Sequence, residues 1–206
     1  MSQRPSPEPL LALILGERPG ISPRDKAILV EWLTLGDEAG SLAAIGRRYC
    51  LTRERVRQVV RRGLAIVDEW TGFSRPLRRR LESLRAQAPV PLARLAKEPW
   101  AAGLPPHGAL LVAEAYSELR LVRDPRLGDC LMPIRLAAWR SVEAAVAVAS
   151  EAFPPDACRG DVFRTALDGI ELSGPARDAC LRALDRIHAG RDALGLQTAY
   201  AGTPVR

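Results

Sequence analysis

The segment from Ser41 to Asp68 constrains this chain more than any other, because it contains two helical patterns with almost nothing between them. Ser41 and Thr52 belong to the residue types that cap helix N-termini. After Thr52, apolar residues recur at helical spacing and predict one buried stripe: Val56, Val59, Val60, Gly63, Leu64 and Val67. Only Cys50 and Leu51 separate the two patterns. The sequence therefore predicts two helices joined by a tight turn, a helix-turn-helix.

Two helices that cross this closely need apolar contacts and a small residue on the first helix. Ile45, Tyr49 and Leu51 are placed to supply the contacts, and Gly46 is the small residue. Cys50 occupies the turn position where glycine is usual, which is a departure from the pattern. The alternative is an ordinary amphipathic helical hairpin with a solvated arginine face. The caps, the short turn, Gly46 and the charge pattern together favour the helix-turn-helix.

Positive charge is concentrated in the same part of the chain. The formal net charge is +6. Between Ser41 and Gly63, Glu54 is the only acidic residue, whereas arginine occupies positions 47, 48, 53, 55, 57, 61 and 62. A second basic stretch, Ser74–Arg85, contains the run Arg78-Arg79-Arg80. This concentration on a limited part of the chain is typical of a surface that binds a polyanion.

The segment from Ser41 to Gln58 closely resembles region 4 of the bacterial sigma-70 family, the module that recognises the −35 promoter element. The stretch Thr52-Arg53-Glu54-Arg55-Val56-Arg57-Gln58 is the most specific part of the likeness. The preceding pattern Ser22–Leu35 resembles the upstream helices of that region, so the likeness covers about 50 residues, Ile21 to Trp70. The resemblance implies a bacterial promoter-type DNA-binding module.

The resemblance also implies a division of roles among side chains. Arg53, Glu54 and Gln58 are expected to contact base edges, since Arg suits guanine, Glu accepts from cytosine and Gln pairs with adenine. The expected phosphate contacts, which set the register, are Arg47, Arg48, Thr52, Arg55, Arg57, Arg61 and Arg62. The helix ends in Asp68 and Glu69 where the family usually has a basic tail, so contact with RNA polymerase is left open. The chain also has no aromatic-rich cluster of the kind that melts the −10 element, and a complete sigma factor is not expected.

After Thr71–Pro76, the pattern changes to short helices followed by a hairpin. Helices are expected at Leu77–Gln87, Leu92–Lys97 and Gly108–Leu119, and a β-hairpin at residues 120–134 with its turn at Asp124–Asp129. Three helices followed by a hairpin are typical of a winged helix. Arg78, Arg79 and Arg80 on its first helix, and Arg123 and Arg126 at its wing, are candidates for additional DNA contacts. The alternative is that these arginines are solvated and the module binds a protein.

The expected fold is mainly α: a sigma-region-4-like helix-turn-helix, then one or two winged-helix-like modules with a small β-hairpin. The expected divisions are residues 1–19, a flexible segment with a short helix at Leu10–Leu15; 20–72, the helix-turn-helix; 75–135, the winged-helix-like module; and 136–206. The last contains three helical patterns from residue 137 to 188, a weak candidate for a second wing at Leu194–Tyr200, and a flexible tail.

Enzymatic and membrane classes are not favoured. The four cysteines are widely spaced, with no nearby histidines to complete a zinc site, so no metal, catalytic residue or cofactor is expected. No apolar run reaches the roughly 20 residues that span a bilayer, and a signal peptide is not evident. A cytoplasmic, nucleoid-associated protein is expected.

Two functional hypotheses follow. In the first, the chain binds double-stranded DNA sequence-specifically and acts in transcription regulation. In the second, it is an architectural or assembly subunit, in which residues 75–206 bind another protein and the helix-turn-helix tethers the complex to DNA. Sequence-selective binding discriminates the first hypothesis from the second.

Overall fold

Several helices begin where the sequence provides a cap or a proline at the first helical position. In the computed structural model, which describes residues 8–16, 20–36, 39–154 and 156–193, Ser22, Ser41 and Thr52 each accept a hydrogen bond from the backbone N–H three residues later. The helices are α1 Leu10–Leu15, α2 Pro23–Thr34, α3 Leu42–Tyr49, α4 Arg53–Thr71, α5 Ser74–Arg85, α6 Leu92–Leu95, α7 Pro106–Tyr116, α8 Leu136–Ala152, α9 Arg159–Asp168 and α10 Gly174–Ala193. The expected mainly-α class is confirmed.

A small antiparallel sheet accompanies the helices, with strands β1 Val90–Pro91, β2 Arg120–Asp124 and β3 Gly128–Met132. The strand order is β1-β3-β2. The predicted hairpin is present, but its turn is shorter than expected, because Asp124 pairs with Gly128 inside the ladder. Gly128 has a φ of 70°, which a residue with a side chain rarely adopts. Strand β1 was not predicted, since two residues ending in a proline carry almost no strand signal.

The chain divides into two compact units at different points from those expected. Among the described residues, the first unit contains those up to Glu82 together with Leu92–Ser117, and the second contains Ser83–Pro91 and those from Glu118 to Ala193. The predicted module at residues 75–135 is therefore split, because α7 packs on α2 within the first unit. A Cβ at Gly108 would lie 2.0 Å from the carbonyl oxygen of Leu33, which shows how closely the two helices approach.

The first unit is organised around α2, which packs against α3, α4 and α7. Its residues Ile28, Leu29 and Leu33 are fully buried. A Cβ at Gly63 would lie 3.0 Å from a methyl group of Leu29, so the small residue lets α4 approach α2 closely. Burial of these apolar side chains fixes the orientation of α4 and therefore determines which of its faces is exposed.

The second unit surrounds a core formed by the sheet and helices α8, α9 and α10. Trp139 and Phe163 are its largest fully buried side chains, and Val122, Cys130 and Met132 face it from the hairpin. Arg182 and Arg186 on α10 donate hydrogen bonds of 2.6 and 2.7 Å to the carbonyl oxygens of Ala88 and Pro89. These bonds attach the segment that leads into β1 to the last helix.

Some predictions lie beyond the part of the chain that the structure describes. The second wing at 194–200 and the flexible tail fall outside it, as does much of the segment 1–19, although the short helix Leu10–Leu15 is present as predicted. Within the described ranges, no helix has both the length and the apolar character needed to cross a bilayer.

Candidate nucleic-acid interface

The turn between α3 and α4 is built by direct contact between backbones. The N–H of Leu51 donates to the carbonyl oxygen of Gly46 over 2.8 Å. A Cβ at Gly46 would lie 2.6 Å from the carbonyl oxygen of Leu51, so only glycine fits there without displacing the turn. Cys50 adopts the left-handed conformation, with φ 53° and ψ 46°, which explains why glycine is usual at this position.

Helix α4 has two chemically distinct faces. The buried residues are Val56, Val59, Val60, Gly63, Leu64 and Val67, which is the stripe that the sequence predicts. The exposed residues around the first three turns are Arg53, Glu54, Arg55, Arg57, Gln58, Arg61 and Arg62. Thr52, also exposed, caps this helix by accepting from the N–H of Arg55 over 3.1 Å. The three expected base-contacting residues therefore lie together on the first turns of one exposed surface, called the α4 face below.

Several side chains of the α4 face are paired with each other. Arg57 donates two hydrogen bonds to the carboxylate of Glu54, of 2.8 and 2.7 Å, and Arg55 donates one to Gln58 over 3.2 Å. The hydrogen bond from Arg57 lowers the pKa of Glu54 below its ordinary value. Exposed pairs of this kind contribute little to stability. They can therefore be exchanged for contacts to a ligand at small cost.

Arg48, an expected phosphate contact, is held by helix α2. Its Nε and Nη2 donate to one carboxylate oxygen of Glu31 over 3.0 and 2.7 Å, and Nη2 also donates to the carbonyl oxygen of Ala39 over 2.9 Å. The hydroxyl of Tyr49 donates to the other oxygen of Glu31 over 2.8 Å. Burial alone would raise the pKa of Glu31, but the hydrogen bonds from Arg48 and Tyr49 outweigh it and lower that pKa.

The remaining residues near the turn are arranged differently. Arg47 is exposed on the last turn of α3. Arg24, which the sequence did not single out, donates to the carbonyl oxygen of Tyr49 at the end of α3. Arg24 and Glu31 both lie on α2, so this helix ties down the segment that leads into the turn. No local pattern in the sequence indicates these two contacts, because the partners are 25 and 17 residues apart.

The three consecutive arginines of α5 have different environments. Arg80 donates two hydrogen bonds, of 2.6 and 2.8 Å, to the carboxylate of Glu98, which is 5 % exposed. The guanidinium of Arg78 lies 5.8 Å from the ring centroid of Tyr116, in cation–π geometry. Arg79 is exposed. The run therefore does not form a uniform DNA-binding surface, and Arg80 serves to neutralise a buried carboxylate.

The wing arginine Arg126 is also bound to acidic side chains. It forms an ion pair with Asp124 over 2.8 Å and a second one with Glu143 of α8. Asp124 is 3 % exposed and also accepts from the indole N–H of Trp139 over 2.9 Å. Burial alone would raise the pKa of Asp124, but these donors lower it. Arg123 is exposed on β2.

The part of the chain that the structure describes contains no group of three or more His, Cys, Asp or Glu side chains placed to hold a metal ion. Cys130 and Cys180 are buried, and desolvation raises their pKa values to about 11 and about 12. A buried neutral thiol is a poor nucleophile and a poor metal ligand. Cys50 and Cys158 are exposed.

No family model, curated protein or solved structure matches the chain. The chemistry that this protein performs therefore has to be inferred from its own surfaces. Of these, the α4 face combines exposed arginines with Glu54 and Gln58 on one helix.

Proposed function

We propose that this protein binds double-stranded DNA sequence-selectively and acts in transcription regulation. In this proposal α3 and α4 form a helix-turn-helix, and α4 is the helix that enters the major groove. The observation that carries the proposal is the α4 face: a helix with a closely packed valine face presents the opposite face, rich in arginine, to solvent. The B-DNA major groove admits one α-helix of this kind.

The side chains of the α4 face suit the two tasks of DNA recognition. Arg53 and Gln58 can each make bidentate contacts to a purine, and Glu54 can accept from a cytosine amino group. The pairs Arg53 and Arg57, and Glu54 and Gln58, are four residues apart, so each pair lies on the same side of the helix. Arginines without a role at base edges supply phosphate contacts, namely Arg47, Arg55, Arg57, Arg61 and Arg62, with the Thr52 hydroxyl at the helix start.

The narrower proposal is that the target is a promoter element of the −35 type. Its support is the resemblance of Ser41–Gln58 to region 4 of the sigma-70 family, together with the observed caps and the tight packing at Gly46. Contact with RNA polymerase belongs to this narrower proposal. A cytoplasmic, nucleoid-associated location also belongs to this narrower proposal.

A second candidate function is supported by the rest of the chain. The order of helices followed by a hairpin along the chain supports the winged-helix-like description, although α6 and α7 belong to the first unit and the strands to the second. Because α7 packs on α2 and Arg126 is bound to carboxylates, this segment is better suited to protein contacts. The protein would then be an assembly subunit that α4 tethers to DNA.

One experiment tests the proposal and separates the two candidates. The full chain is used to select duplexes from a random library, and its affinity for the selected duplex and for random DNA is then measured at several salt concentrations. We expect a recurring sequence that is bound at least 1000-fold more tightly than random DNA. Salt-sensitive binding with no recurring sequence would favour the assembly subunit. Absence of binding at 50 mM salt would refute both.

A further inference from the structure

Among the arginines expected to contact phosphate, Arg48 differs from its neighbours in what holds it. Arg55 and Arg57 are paired with Gln58 and Glu54, which belong to the α4 face themselves. Arg48 is paired with Glu31, which comes from another helix, α2. DNA bound to the α4 face can contact both members of each of these pairs. It makes no contact with Glu31 that would replace the ion pair with Arg48.

The contact between Arg48 and Glu31 resembles the contact that an arginine makes with a phosphate oxygen. Two N–H groups of the guanidinium converge on a single carboxylate oxygen, and a third is taken by the carbonyl oxygen of Ala39. Tyr49 occupies the second oxygen of Glu31 and so keeps the carboxylate oriented towards Arg48. A DNA phosphate that binds Arg48 must therefore displace an anion that is already in place.

The pair nevertheless lies at the surface, where exchange is feasible. The side chain of Arg48 is 39 % exposed and that of Glu31 is 29 % exposed. Exposed ion pairs are worth about 0–1 kcal/mol, so Glu31 holds Arg48 only weakly, and loss of its charge is enough to make Arg48 available to a phosphate. Arg48 is also adjacent to Arg47, on the last turn of α3, and two residues before the turn at Cys50.

We propose that Glu31 is an internal competitor for Arg48 and weakens the sequence-independent part of DNA binding. This proposal rests on the proposed function and identifies a residue that tunes it. Phosphate contacts carry no sequence information, whereas base contacts do. By occupying Arg48, Glu31 lowers the affinity for every DNA sequence by the same factor. The ratio of specific to non-specific affinity is therefore unchanged and depends on Arg53, Glu54 and Gln58.

The test compares the full chain with four variants on a random-sequence duplex, using the salt dependence of the dissociation constant. Glu31→Gln removes the charge but keeps an oxygen that accepts from Tyr49. We expect the slope of log affinity against log salt to become steeper by about 0.9, the value for one additional phosphate contact. Between 50 and 200 mM salt, affinity should then fall about threefold more than that of the unsubstituted chain.

The controls isolate Arg48 from the general loss of negative charge. Asp25→Asn removes one acidic charge from the same helix without releasing an arginine, and it should change the slope much less. Arg48→Ala alone should have little effect, whereas Arg48→Ala combined with Glu31→Gln should cancel the gain. Equal slopes for Glu31→Gln and Asp25→Asn, or a gain that survives loss of Arg48, would overturn the proposal. Failure of the unsubstituted chain to bind DNA would instead refute the proposed function.

Discussion

The arginines of helix α4 and Arg126 of the β2–β3 hairpin are the same residue type in different environments. On α4 they stand on an exposed face, and their partners are other exposed side chains of that face. In the hairpin, Arg126 contacts the buried Asp124 and also Glu143. Both regions contain several arginines, but Arg126 is paired with two carboxylates, one of them buried, whereas Arg55 and Arg57 have exposed partners.

The difference teaches that the number of arginines in a segment does not measure its capacity to bind DNA. An arginine beside a buried carboxylate compensates that carboxylate, and removing either partner leaves a buried polar group without its donor or acceptor. An arginine on an exposed helix face retains the freedom to exchange partners. The proposed difference between the two regions would be contradicted if substitutions in both affected stability and DNA binding in the same way.

The largest expected effect concerns Asp124. Asp124→Ala removes the acceptor of the buried Trp139 N–H and one partner of Arg126, and we expect it to lower the free energy of unfolding by about 3 kcal/mol. Asp129→Ala, at an exposed position of the same hairpin, should change it by less than about 0.5 kcal/mol. Urea unfolding followed by tryptophan fluorescence measures both. A reduced salt slope of DNA binding in folded Asp124→Ala protein would contradict a purely structural role.

The next effect concerns the residues proposed to contact bases, where substitution should weaken DNA binding and leave stability nearly unchanged. Arg53→Ala, Glu54→Ala and Gln58→Ala should each weaken binding to the selected duplex by about 1–3 kcal/mol and relax preference at one base pair. The thermal midpoint should be nearly unchanged, because all three positions are exposed. Binding to duplexes substituted at single positions measures the preference. Equal losses on the selected and the random duplex would show that these side chains do not contact bases.

The sequence predicted the segment from Ser22 to Val67 well because its signals are local. The caps at Ser22, Ser41 and Thr52 and the buried stripe of α4 each depend on residues within a few turns. The need for Gly46 also follows from a short turn, and the structure shows the close approach that demands it. The exposed face of α4 was therefore accessible to prediction before any tertiary contact was known.

What the sequence could not provide was the set of long-range partners. Arg48 with Glu31, Arg80 with Glu98, and Arg126 with Glu143 are 17, 18 and 17 residues apart, and each pair joins different elements. Ion pairs between separate elements leave no periodic signal. The same limit applies to the packing of α7 on α2, because it depends on Gly108 and Leu33, which are far apart in the chain.

A smaller effect concerns phosphate contacts and sharpens the comparison between exposed arginines of the two units. The double substitution Arg55→Ala, Arg57→Ala should reduce the salt slope of binding by about two. Arg164→Ala, on α9 of the second unit with a side chain that is 69 % exposed, removes a similarly exposed charge and should leave the slope unchanged. Titrations at four salt concentrations on random DNA provide both slopes. An unchanged slope in the double variant would exclude Arg55 and Arg57 as backbone contacts.

The smallest expected effect concerns the cysteines, of which Cys50 and Cys158 are exposed and Cys130 and Cys180 are buried. Cys50 is exposed at the turn of the first unit, whereas Cys130 and Cys180 are buried in the second, with pKa values raised to about 11 and about 12 from an ordinary value of 9.0. The folded state binds the two thiol protons more tightly than the unfolded state does. The resulting contribution to the free energy of unfolding is fully present below pH 9, and it is lost as the pH rises towards the folded pKa values. We expect the free energy of unfolding to fall by about 1 kcal/mol for each buried thiol when the pH is raised from 8 to 10.

Urea unfolding at these two pH values measures this decrease. The decrease should be smaller in Cys180→Ala than in the unsubstituted chain, whereas Cys50→Ala, the matched exposed control, should retain the full decrease. Equal decreases in all three proteins would show that the thiol of Cys180 is no more shielded from solvent than that of Cys50.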